Sequence, residues 1–389
     1  MSAYQSVNSV GFGSDNWCLG LQPLYNHGLL TCLSNGEVHT LDWNTQTSTS
    51  VIKTGDVSIN RMRVINSDFH NGSCFATASL EAVKVFDIRS NSCIASIHND
   101  KGSPFLSLDS RHNMLACGTE LSGVDAELFI YDTRKYDEPM RALVDSHHDD
   151  ITDIKFHPSD KNILLSGSTD GYTNIYDLTQ EEEDDALHQV INYASIHSCG
   201  WISPRRIYTL SHMETFAISE LNDRSEELKE PQPLDYGDIR QQWGCDYVVD
   251  VYPDYIATGR TQEGNGCLSI TPLNGEVPQT DKSVVIPRAH GDEVVRDVFI
   301  PAQNSQLLYS CGEDGYVRCW KNEIGSMQVP EGFWDYTKEF NVFDMDVSVG
   351  DSSVATMGEV PETTKKHKKK SKKDKKKKKS KHAPRYNPY

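Results

Sequence analysis

The sequence predicts an all-β fold, a seven-bladed β-propeller followed by a disordered, lysine-rich C-terminal tail. The first observation behind this prediction is a dipeptide, an apolar residue followed by aspartate, that recurs three times at intervals of 45 residues. The second is a series of short segments in which apolar and polar residues alternate, as half-buried strands require. The third is the distance from Tyr176 to Trp320, which is 144 residues, or three periods of 48. The regular dipeptides are Leu41-Asp42, Phe86-Asp87, Tyr131-Asp132 and Tyr176-Asp177.

The fourth and seventh copies show the repeating unit most completely. Each starts at a histidine, His147 or His290, and has a phenylalanine nine residues later and a proline eleven residues later. Each then has an Asp-Gly dipeptide, beginning at Asp170 or Asp314, of the kind that forms a tight hairpin turn. The shared spacing predicts the same four-stranded unit in both places.

Weaker copies account for the rest of the ring. Copies one to three keep the closing dipeptide, whereas copies five and six have lost it. The spacing requires two degenerate blades between Tyr176 and Trp320, which gives seven blades in total. The strand pairs of the weaker copies are Leu29–Leu33 with Val38–Asp42, Phe75–Ser79 with Val83–Asp87, Leu115–Thr119 with Leu128–Asp132, Ile207–Ser211 with Phe216–Ser219, and Tyr255–Gly259 with Cys267–Ile270.

The predicted domain boundaries follow from closing the ring. A single blade cannot bury both of its faces, so the first and last blades must meet. No convincing outer strand follows Trp320, and we expect the N-terminal segment 3–10 to complete the last blade. The propeller is therefore predicted to span residues 1–324, an irregular extension residues 325–360, and a disordered basic tail residues 361–389.

Composition restricts the function. The ten cysteines are scattered, with no CxxC pair and no His/Cys cluster at zinc spacing, so we expect reduced thiols, no metal and no cofactor. No apolar run reaches the length of a membrane span, and the N-terminus shows no signal sequence. We therefore expect an intracellular protein that acts neither in a membrane nor on a small-molecule substrate.

The repeat resembles the WD-repeat family, whose period is about 40–45 residues with four strands per blade. In that family a histidine, a serine or threonine, the turn aspartate and the aromatic residue of the dipeptide hydrogen-bond within one blade. The resemblance implies a structural network in two blades. Its positions are His147, Ser166, Asp170 and Tyr176 in blade four, and His290, Ser310, Asp314 and Trp320 in blade seven.

The same histidine, serine and aspartate types could suggest a hydrolase. A catalytic triad needs one cleft, whereas this set recurs at equivalent places in two blades. A satisfied buried network is therefore the favoured interpretation. The sequence also shows no phosphate-binding loop, and we predict that the protein is not an enzyme and has no catalytic residues.

Charge divides the chain into two parts. The net charge is −18, but residues 365–389 contain thirteen lysines, one arginine and one aspartate, or +13. The other 364 residues therefore carry 24 basic and 55 acidic groups, or −31. An acidic body and a basic tail predict two separate interactions.

The lysine run cannot bury a core and is predicted to be disordered. Such runs are read by nuclear import receptors or contact nucleic acid through phosphate charge, here without the aromatic residues that would stack on bases. We predict nuclear localisation through an import receptor, and nucleolar retention if the tail contacts RNA non-specifically. A solubilising tail is the alternative. The lysines are Lys365, Lys366, Lys368, Lys369, Lys370, Lys372, Lys373, Lys375, Lys376, Lys377, Lys378, Lys379 and Lys381.

Acidic residues recur in the loops that lead into each predicted blade. In a WD-repeat ring these loops lie on one surface around the central channel, where they would create negative potential. The predicted partner is a basic protein, such as a histone or a ribosomal protein, or the chain's own lysine run. The alternative is that these acidic residues only form turns. They are Asp56, Asp100, Asp149, Asp150, Asp235, Asp238, Asp292 and Glu293.

Two arginines raise a second functional hypothesis. Arg89 and Arg134 each stand two residues after the closing aspartate, in consecutive blades. The pattern is similar to that of WD-repeat substrate receptors of cullin–RING ubiquitin ligases, in which such an arginine could dock an adaptor bidentately. The alternative is that each arginine pairs with its own aspartate or with carbonyls at the strand end.

Several stretches also resemble the WD repeat-containing protein 89 family, which implies the propeller fold and a non-enzymatic class. We therefore predict a nuclear scaffold or adaptor that binds a basic protein partner, in ribosome assembly or in chromatin. The ubiquitin-ligase receptor is the alternative. The stretches are Ser34–Gly36, Cys117–Glu120, His148–Asp150, Phe156–Ser159 and Ser195–Trp201, together with the basic C-terminus.

Overall fold

Seven small antiparallel sheets make up the computed structural model, which describes residues 4–66, 72–224, 232–252, 254–301, 304–322 and 342–344. The first strand of each sheet lines a central channel, and the later strands lie progressively further out. Each sheet is thus one blade, and the predicted all-β, seven-bladed propeller is confirmed. The predicted lysine-rich tail lies outside the described residues, as does most of the predicted extension.

Consecutive strands form each blade from the channel outwards. Blades 1 to 4 consist of β2 (Cys18–Leu24), β3 (Gly28–Leu33), β4 (Glu37–Leu41) and β5 (Ser48–Lys53); β6 (Arg61–Val64), β7 (Cys74–Ala78), β8 (Val83–Asp87) and β9 (Ser92–Ile97); β10 (Phe105–Arg111), β11 (Met114–Thr119), β12 (Ala126–Asp132) and β13 (Arg141–His147); and β14 (Ile151–Phe156), β15 (Ile163–Ser168), β16 (Tyr172–Asp177) and β17 (Leu187–Asn192).

Blades 5 to 7 follow the same order, although blade 6 has its outer edge divided between two short strands. These blades consist of β18 (Ile196–Ser203), β19 (Arg206–Ser211), β20 (Thr215–Glu220) and β21 (Leu234–Asp238); β22 (Tyr247–Val251), β23 (Tyr255–Arg260), β24 (Cys267–Asn274), β25 (Val277–Pro278) and β26 (Val284–Pro287); and β27 (Val295–Phe299), β28 (Leu307–Gly312), β29 (Tyr316–Asn322) and β1 (Tyr4–Gly11). Short helices α1 (Glu183–Ala186) and α2 (Arg240–Trp243) and 3-10 turns at Thr280–Lys282 and Val342–Asp344 interrupt the loops.

The N-terminal strand closes the ring. β1 pairs antiparallel with β29, from Tyr4 opposite Asn322 to Gly11 opposite Tyr316. Because the strand from the start of the chain completes the last blade, blade 7 is held by both ends of the propeller sequence. This strand occupies the edge for which the sequence analysis expected the segment 3–10.

Glycine is required at two of the tight turns between the second and third strands. Gly36 and Gly315 have φ angles of 81° and 77°, in the left-handed region that disfavours other residues. A Cβ atom at Gly36 would also stand 2.1 Å from the carbonyl oxygen of Asp56, and one at Gly315 would stand 2.2 Å from that of Gly13. These turns therefore touch the loop of the neighbouring blade, and the close approach leaves no room for a side chain.

The hydrophobic core lies between the blades. Each of the seven seams between neighbouring blades has its own cluster of buried apolar side chains. At the seam of blades 1 and 2, for example, Leu30 and Val38 meet Met62 and Phe75. Because alternate residues of a strand point to opposite faces, each middle strand supplies one seam on either side. Burying each large apolar side chain contributes roughly 1.5–3 kcal/mol of stabilising free energy, and these contributions hold every blade to both neighbours.

Carboxylates on the innermost strands add polar links across the same seams. Asp109 accepts a hydrogen bond from the backbone N–H of Phe156 at 2.8 Å, which joins blade 3 to blade 4. Asp297 accepts one from the N–H of Leu21, also at 2.8 Å, which joins blade 7 to blade 1. These bonds cross the gap between adjacent sheets, where backbone ladders cannot reach.

A short piece of the region after the ring contacts blades 4 and 5. Val342 is fully buried in the apolar cluster of that seam, and its N–H donates to the carboxylate of Asp160 at 2.8 Å. The Phe343 ring lies between His188, with ring centroids 4.8 Å apart, and the Arg224 guanidinium, 4.4 Å from the ring centroid. No helix in the described part of the chain is long and apolar enough to cross a membrane.

His157 ties blade 4 to blade 5 on the side of the ring where the first strands end. Its Nδ1 accepts hydrogen bonds from the N–H groups of Ser159 and Asp160, and its Nε2 lies 2.9 Å from the carbonyl oxygen of Pro204. These contacts assign the neutral ring with its proton on Nε2. Burial lowers the pKa of His157 to about 3, because an added proton on Nδ1 would face two N–H donors without water.

We expect His157 to make the propeller sensitive to acid. The pKa in the folded state lies below the unfolded value of about 6.5, so the unfolded state takes up the proton first and stability falls as the pH drops below 6.5. Between pH 7.5 and pH 5 the expected loss is about 2 kcal/mol. In urea unfolding, the stability advantage of the native protein over His157→Gln should therefore shrink by that amount. An advantage that is the same at both pH values contradicts this, and exposed His98→Gln is the control.

Candidate protein-binding faces

The ring has two faces, which the loops define. Strands alternate in direction within a blade, so the loops leading into each first strand share a face with the turns between the second and third strands. We call this surface the top face, and the opposite surface, with the remaining loops, the bottom face. Contacts between neighbouring blades confirm the assignment: the N–H of Leu121, in a turn of blade 3, donates to Asp150 in the loop leading into blade 4 at 2.9 Å.

The structure places the predicted acidic residues on the top face, with differing exposure. Asp100, Asp235 and Glu293 are exposed. Asp149, Asp150 and Asp292 are half-buried. Asp292 accepts the N–H of Gly264 from blade 6 at 3.1 Å, so it shares with Asp150 the role of joining two blades. Asp150 and Asp292 thus stabilise contacts between blades in addition to lying on the top face.

Two of the predicted acidic residues have their charge compensated within the ring. The Asp56 side chain is 3% exposed and forms an ion pair with Lys84 at 2.8 Å. It also accepts the Ser79 hydroxyl at 3.1 Å, so it is not available to a partner, contrary to the prediction for this residue. Asp238 is exposed but pairs with Arg240, whose side-chain hydrogen bonds lower the pKa of Asp238 to about 2.

Sequence reasoning missed a second group of acidic residues on the top face. These residues are exposed and form no ion pair among the described residues. Most of them lie in the turns between second and third strands, which share the face with the inter-blade loops but are distant from them in sequence. The predicted hairpin turns could have indicated these residues, because the order of the strands places the turns on the same face as the inter-blade loops. The residues are Asp15, Glu81, Glu120, Asp246 and Glu263.

Basic residues do not balance this acidic surface. Lys53, Lys101 and Arg240 lie on or beside the top face, but each pairs with an acidic neighbour, Glu37, Glu127 and Asp238 respectively. Among the described residues of this face, Arg260 and Arg288 are the exposed basic groups without an ion pair. The described part of the top face therefore carries more exposed carboxylates than exposed basic groups free of an ion pair.

The predicted blade network is present as hydrogen bonds in both blades. In blade 7, His290 lies 2.8 Å from Asp314 through Nδ1 and 2.7 Å from the Ser310 hydroxyl through Nε2. The indole N–H of Trp320 donates to the same hydroxyl at 2.9 Å. Burial lowers the pKa of His290, and the Arg318 guanidinium, 2.8 Å from His290 Nδ1, adds to this effect.

Blade 4 repeats the arrangement with tyrosine in place of tryptophan. His147 lies 2.9 Å from Asp170 and 2.7 Å from the Ser166 hydroxyl, which is 3.4 Å from the Tyr176 hydroxyl. His147 and Ser166 are buried, and none of the network residues lines the central cavity. The network is therefore a set of hydrogen bonds made within each blade.

The central channel holds an ionic cluster that the sequence did not reveal. A cavity of about 610 Å³ runs between the innermost strands. Burial alone would raise the pKa of Asp153, but Lys155 at 2.6 Å and Arg61 at 3.7 Å hold that pKa at about 2. Arg61 reaches from blade 2 to blade 4 to make this contact. Asp250 and Asp297 occupy the equivalent position after the β-bulge in blades 6 and 7.

The channel cluster joins two blades that are not neighbours, because Arg61 of blade 2 pairs with Asp153 of blade 4. No group of three or more His, Cys, Asp or Glu residues within the described ranges could hold a metal ion. All ten cysteines are thiols without a disulfide partner. For the buried Cys117, burial raises the pKa of the thiol far above its usual value, which removes its reactivity.

Arg89 and Arg134 lie on the bottom face and are exposed, with 67% and 80% of their side chains accessible. Each pairs with its own aspartate: Arg89 Nε is 3.0 Å from Asp87, and Arg134 Nε is 2.8 Å from Asp132. Arg240 makes the same contact with Asp238, at 3.0 Å, in a top-face loop. Because Arg240 forms the same Asp-x-Arg contact in a different kind of loop, the pairing of Arg89 and Arg134 with their aspartates is a local feature of this sequence pattern. The predicted targeting lysines lie outside the described residues.

The buried His–Ser–Asp network, repeated in four-stranded blades of one ring, defines a WD-repeat β-propeller. Residues 138–177 and 281–321, which contain the two networks, match the family model "WD domain, G-beta repeat". The chain is 66% identical over 346 residues to an uncharacterized WD repeat-containing protein of Saccharomyces cerevisiae, covering 89% of each. The chain therefore belongs to the WD-repeat family.

Two further relatives match different shares of the chain. The WD repeat-containing protein 89 homolog of Dictyostelium discoideum is 31% identical over 338 residues, covering 82% of this chain and 87% of that protein. The predicted resemblance to the protein 89 family is thus confirmed. Histone acetyltransferase type B subunit 2 of Candida glabrata is 31% identical over 147 residues, covering 34% of this chain and 32% of that protein.

We expect the network serines to stabilise the fold. Ser166→Ala and Ser310→Ala each leave a buried histidine nitrogen without its partner, which costs about 1–3 kcal/mol. Urea unfolding should show this loss for both variants, with Ser90→Ala, an exposed serine bonded only to close neighbours, as the control. Stabilities equal to that of the control would contradict a structural role for the network.

Proposed function

We propose that this WD-repeat propeller is a non-enzymatic nuclear scaffold or adaptor that holds a basic protein partner on its top face. WD-repeat propellers generally bind protein partners without catalysis, and the chain belongs to that family. The observation that carries the proposal is the excess of exposed carboxylates on the top face over basic groups free to compensate them. Such a surface accelerates encounter with a basic partner and raises its affinity at low salt.

The partner classes that fit this chemistry are histones and ribosomal proteins, with which the protein would act in chromatin or in ribosome assembly. The histone choice draws support from the similarity to a histone acetyltransferase subunit, whose name connects it with a basic substrate. That similarity covers about a third of the chain, 147 residues. The top-face chemistry would serve either partner class, because both present lysine- and arginine-rich segments.

The lysine run would supply the nuclear address. Thirteen lysines within seventeen residues present the dense positive charge that import receptors read. The same run offers phosphate contacts that retain a protein on RNA without sequence preference. Targeting and partner binding are thereby assigned to different parts of the chain.

Neutralising the lysine run should abolish nuclear accumulation. We expect a fluorescent fusion carrying Lys375→Gln, Lys376→Gln, Lys377→Gln, Lys378→Gln and Lys379→Gln, with the other eight lysines also changed to Gln, to spread through the cytoplasm. Changing the same lysines to Arg keeps the charge and is the matched control, which should remain nuclear. Unchanged nuclear accumulation of the glutamine variant would contradict a targeting role.

Reversing top-face charge should remove binding of a basic client. The test variant carries Asp100→Lys, Glu120→Lys, Glu263→Lys and Glu293→Lys, all at exposed residues that hold no neighbouring blade. Pull-down of purified histones and ribosomal proteins at low salt should fall at least about tenfold, because attraction becomes repulsion. A bottom-face variant of equal charge change, Asp137→Lys, Glu181→Lys, Asp184→Lys and Asp185→Lys, should bind as the native protein does.

Two outcomes would overturn the scaffold proposal. In the first, client binding survives both high salt and the top-face reversal. In the second, affinity purification from nuclear extract recovers a ligase adaptor and cullin, which remain bound at high salt and are lost from Arg89→Gln with Arg134→Gln. That second outcome would replace the scaffold with the ubiquitin-ligase receptor, despite the local pairing of both arginines.

A further inference from the structure

The exposed large apolar side chains fall into two groups. One group lies on or directly beside the outermost strands, scattered around the rim of the ring, where single apolar residues are ordinary. The other group lies on the top face, in the inter-blade loops and the hairpin turns beside them. The top-face group consists of Trp17, Val57, Leu80, Leu121, Val124, Met213 and Tyr316.

Four members of the top-face group lie together on blades 2 and 3. Val57 precedes the first strand of blade 2, Leu80 lies in the turn of that blade, and Leu121 and Val124 lie in the turn of blade 3. Val57 and Val124 are 87% and 75% exposed, among the most accessible apolar side chains described. We call these four residues the blade 2–3 patch.

Hydrogen bonds connect the loops of the patch into one surface. The Ser79 hydroxyl, beside Leu80, donates to Asp56, beside Val57, at 3.1 Å. The His98 ring lies 3.2 Å from the carbonyl oxygen of Glu81, and so links the turn of blade 2 to the next inter-blade loop. Lys101 in that loop donates to the carbonyl oxygen of Asp125, beside Val124, at 3.4 Å. The apolar side chains are therefore displayed from mutually attached loops.

The charges within the patch are acidic. Glu81, Asp100 and Glu120 are exposed there and form no ion pair among the described residues. The nearby bases are already compensated: Lys84 pairs with Asp56, and Lys101 pairs with Glu127 at 3.2 Å. A ligand that covers this surface must bring positive charge to the carboxylates and apolar groups to the four side chains.

We propose that the blade 2–3 patch docks a protein segment that is basic and carries apolar anchors, such as leucine or valine between lysines and arginines. The inference rests on the proposed function and specifies where on the top face the partner is held. A purely basic chain would leave Val57, Leu80 and Val124 in water, whereas an amphipathic segment buries them while its charges meet Glu81, Asp100 and Glu120. Apolar anchors surrounded by polar groups are the arrangement typical of binding hot spots.

Two synthetic peptides of equal charge separate this inference from the proposed function. One fluorescein-labelled peptide of fifteen residues alternates lysine with leucine, and the other alternates lysine with serine. Binding to the full-length protein is measured by fluorescence anisotropy. We expect the lysine–leucine peptide to bind at least tenfold more tightly, and Leu80→Ser with Val124→Ser to remove that advantage while leaving the lysine–serine peptide unchanged. Met213→Ser with Val190→Ser is the matched control, since these exposed apolar residues lie outside the patch.

Each other result has a distinct meaning. If both peptides bind equally and only top-face charge reversal weakens them, the proposed function stands and the patch is not its anchor. If the advantage of the lysine–leucine peptide survives Leu80→Ser with Val124→Ser, the patch inference is wrong. A dimer in sedimentation that dissociates in the same variant would show that a second copy of this chain covers the patch, and would also overturn the inference. Binding of neither peptide would count against the proposed function itself.

Discussion

Burial of apolar side chains between neighbouring blades is the constraint on which the structure depends. No blade has a core of its own; Leu30, Val38, Met62 and Phe75 form one only where two blades meet. Several polar contacts help to keep those seams intact. The carboxylates of Asp109 and Asp297 join strands across seams, His157 fastens a seam from below, and Asp150 and Asp292 fasten others from above. Function is left to groups that the seams do not use, which is why the exposed top-face carboxylates and the blade 2–3 patch carry the proposals.

The fold could be predicted from sequence because its determinants recur locally. The histidine, serine, aspartate and aromatic residue of blades 4 and 7 lie within one repeat, so their spacing is visible in a single chain. Blades 5 and 6 have lost the closing dipeptide, and they were predicted from the spacing between Tyr176 and Trp320 together with weaker strand pairs such as Ile207–Ser211 with Phe216–Ser219. The functional surface was harder to predict, because solvent exposure depends on neighbours distant in sequence. Asp56 was expected to face a partner, but Lys84 covers its carboxylate. Glu81, Glu120 and Glu263 were missed because only topology brings hairpin turns and inter-blade loops to one face.

The channel cluster shows the same limit more strongly. Arg61 and Asp153 belong to different blades, and nothing in their local sequence indicates that they meet. A β-bulge before Asp153, Asp250 and Asp297 places three carboxylates at equivalent positions, and bulges leave no reliable signal in a single sequence. The two arginines show the opposite problem, in which a visible sequence pattern suggests more than the structure contains. Arg89 and Arg134 carry a sequence pattern that suggests docking, yet Arg240 makes the same contact with its own aspartate in an unrelated loop. A short motif predicts a local contact more securely than it predicts a partner.

Because β1 closes the ring, the last blade can be completed only after β29 has been synthesised. The chain emerges N-terminus first, so the strand Tyr4–Gly11 leaves the ribosome long before its partner β29, Tyr316–Asn322, exists. Throughout that interval it is an unpaired strand, which other chains could join. The strand contains Gln5, Ser6, Asn8 and Ser9 and is one of the most polar strands of the ring. Polar residues at a strand edge disfavour pairing with other chains. These residues would therefore limit aggregation of the incompletely synthesised chain, and they form the outer edge of blade 7 in the folded protein.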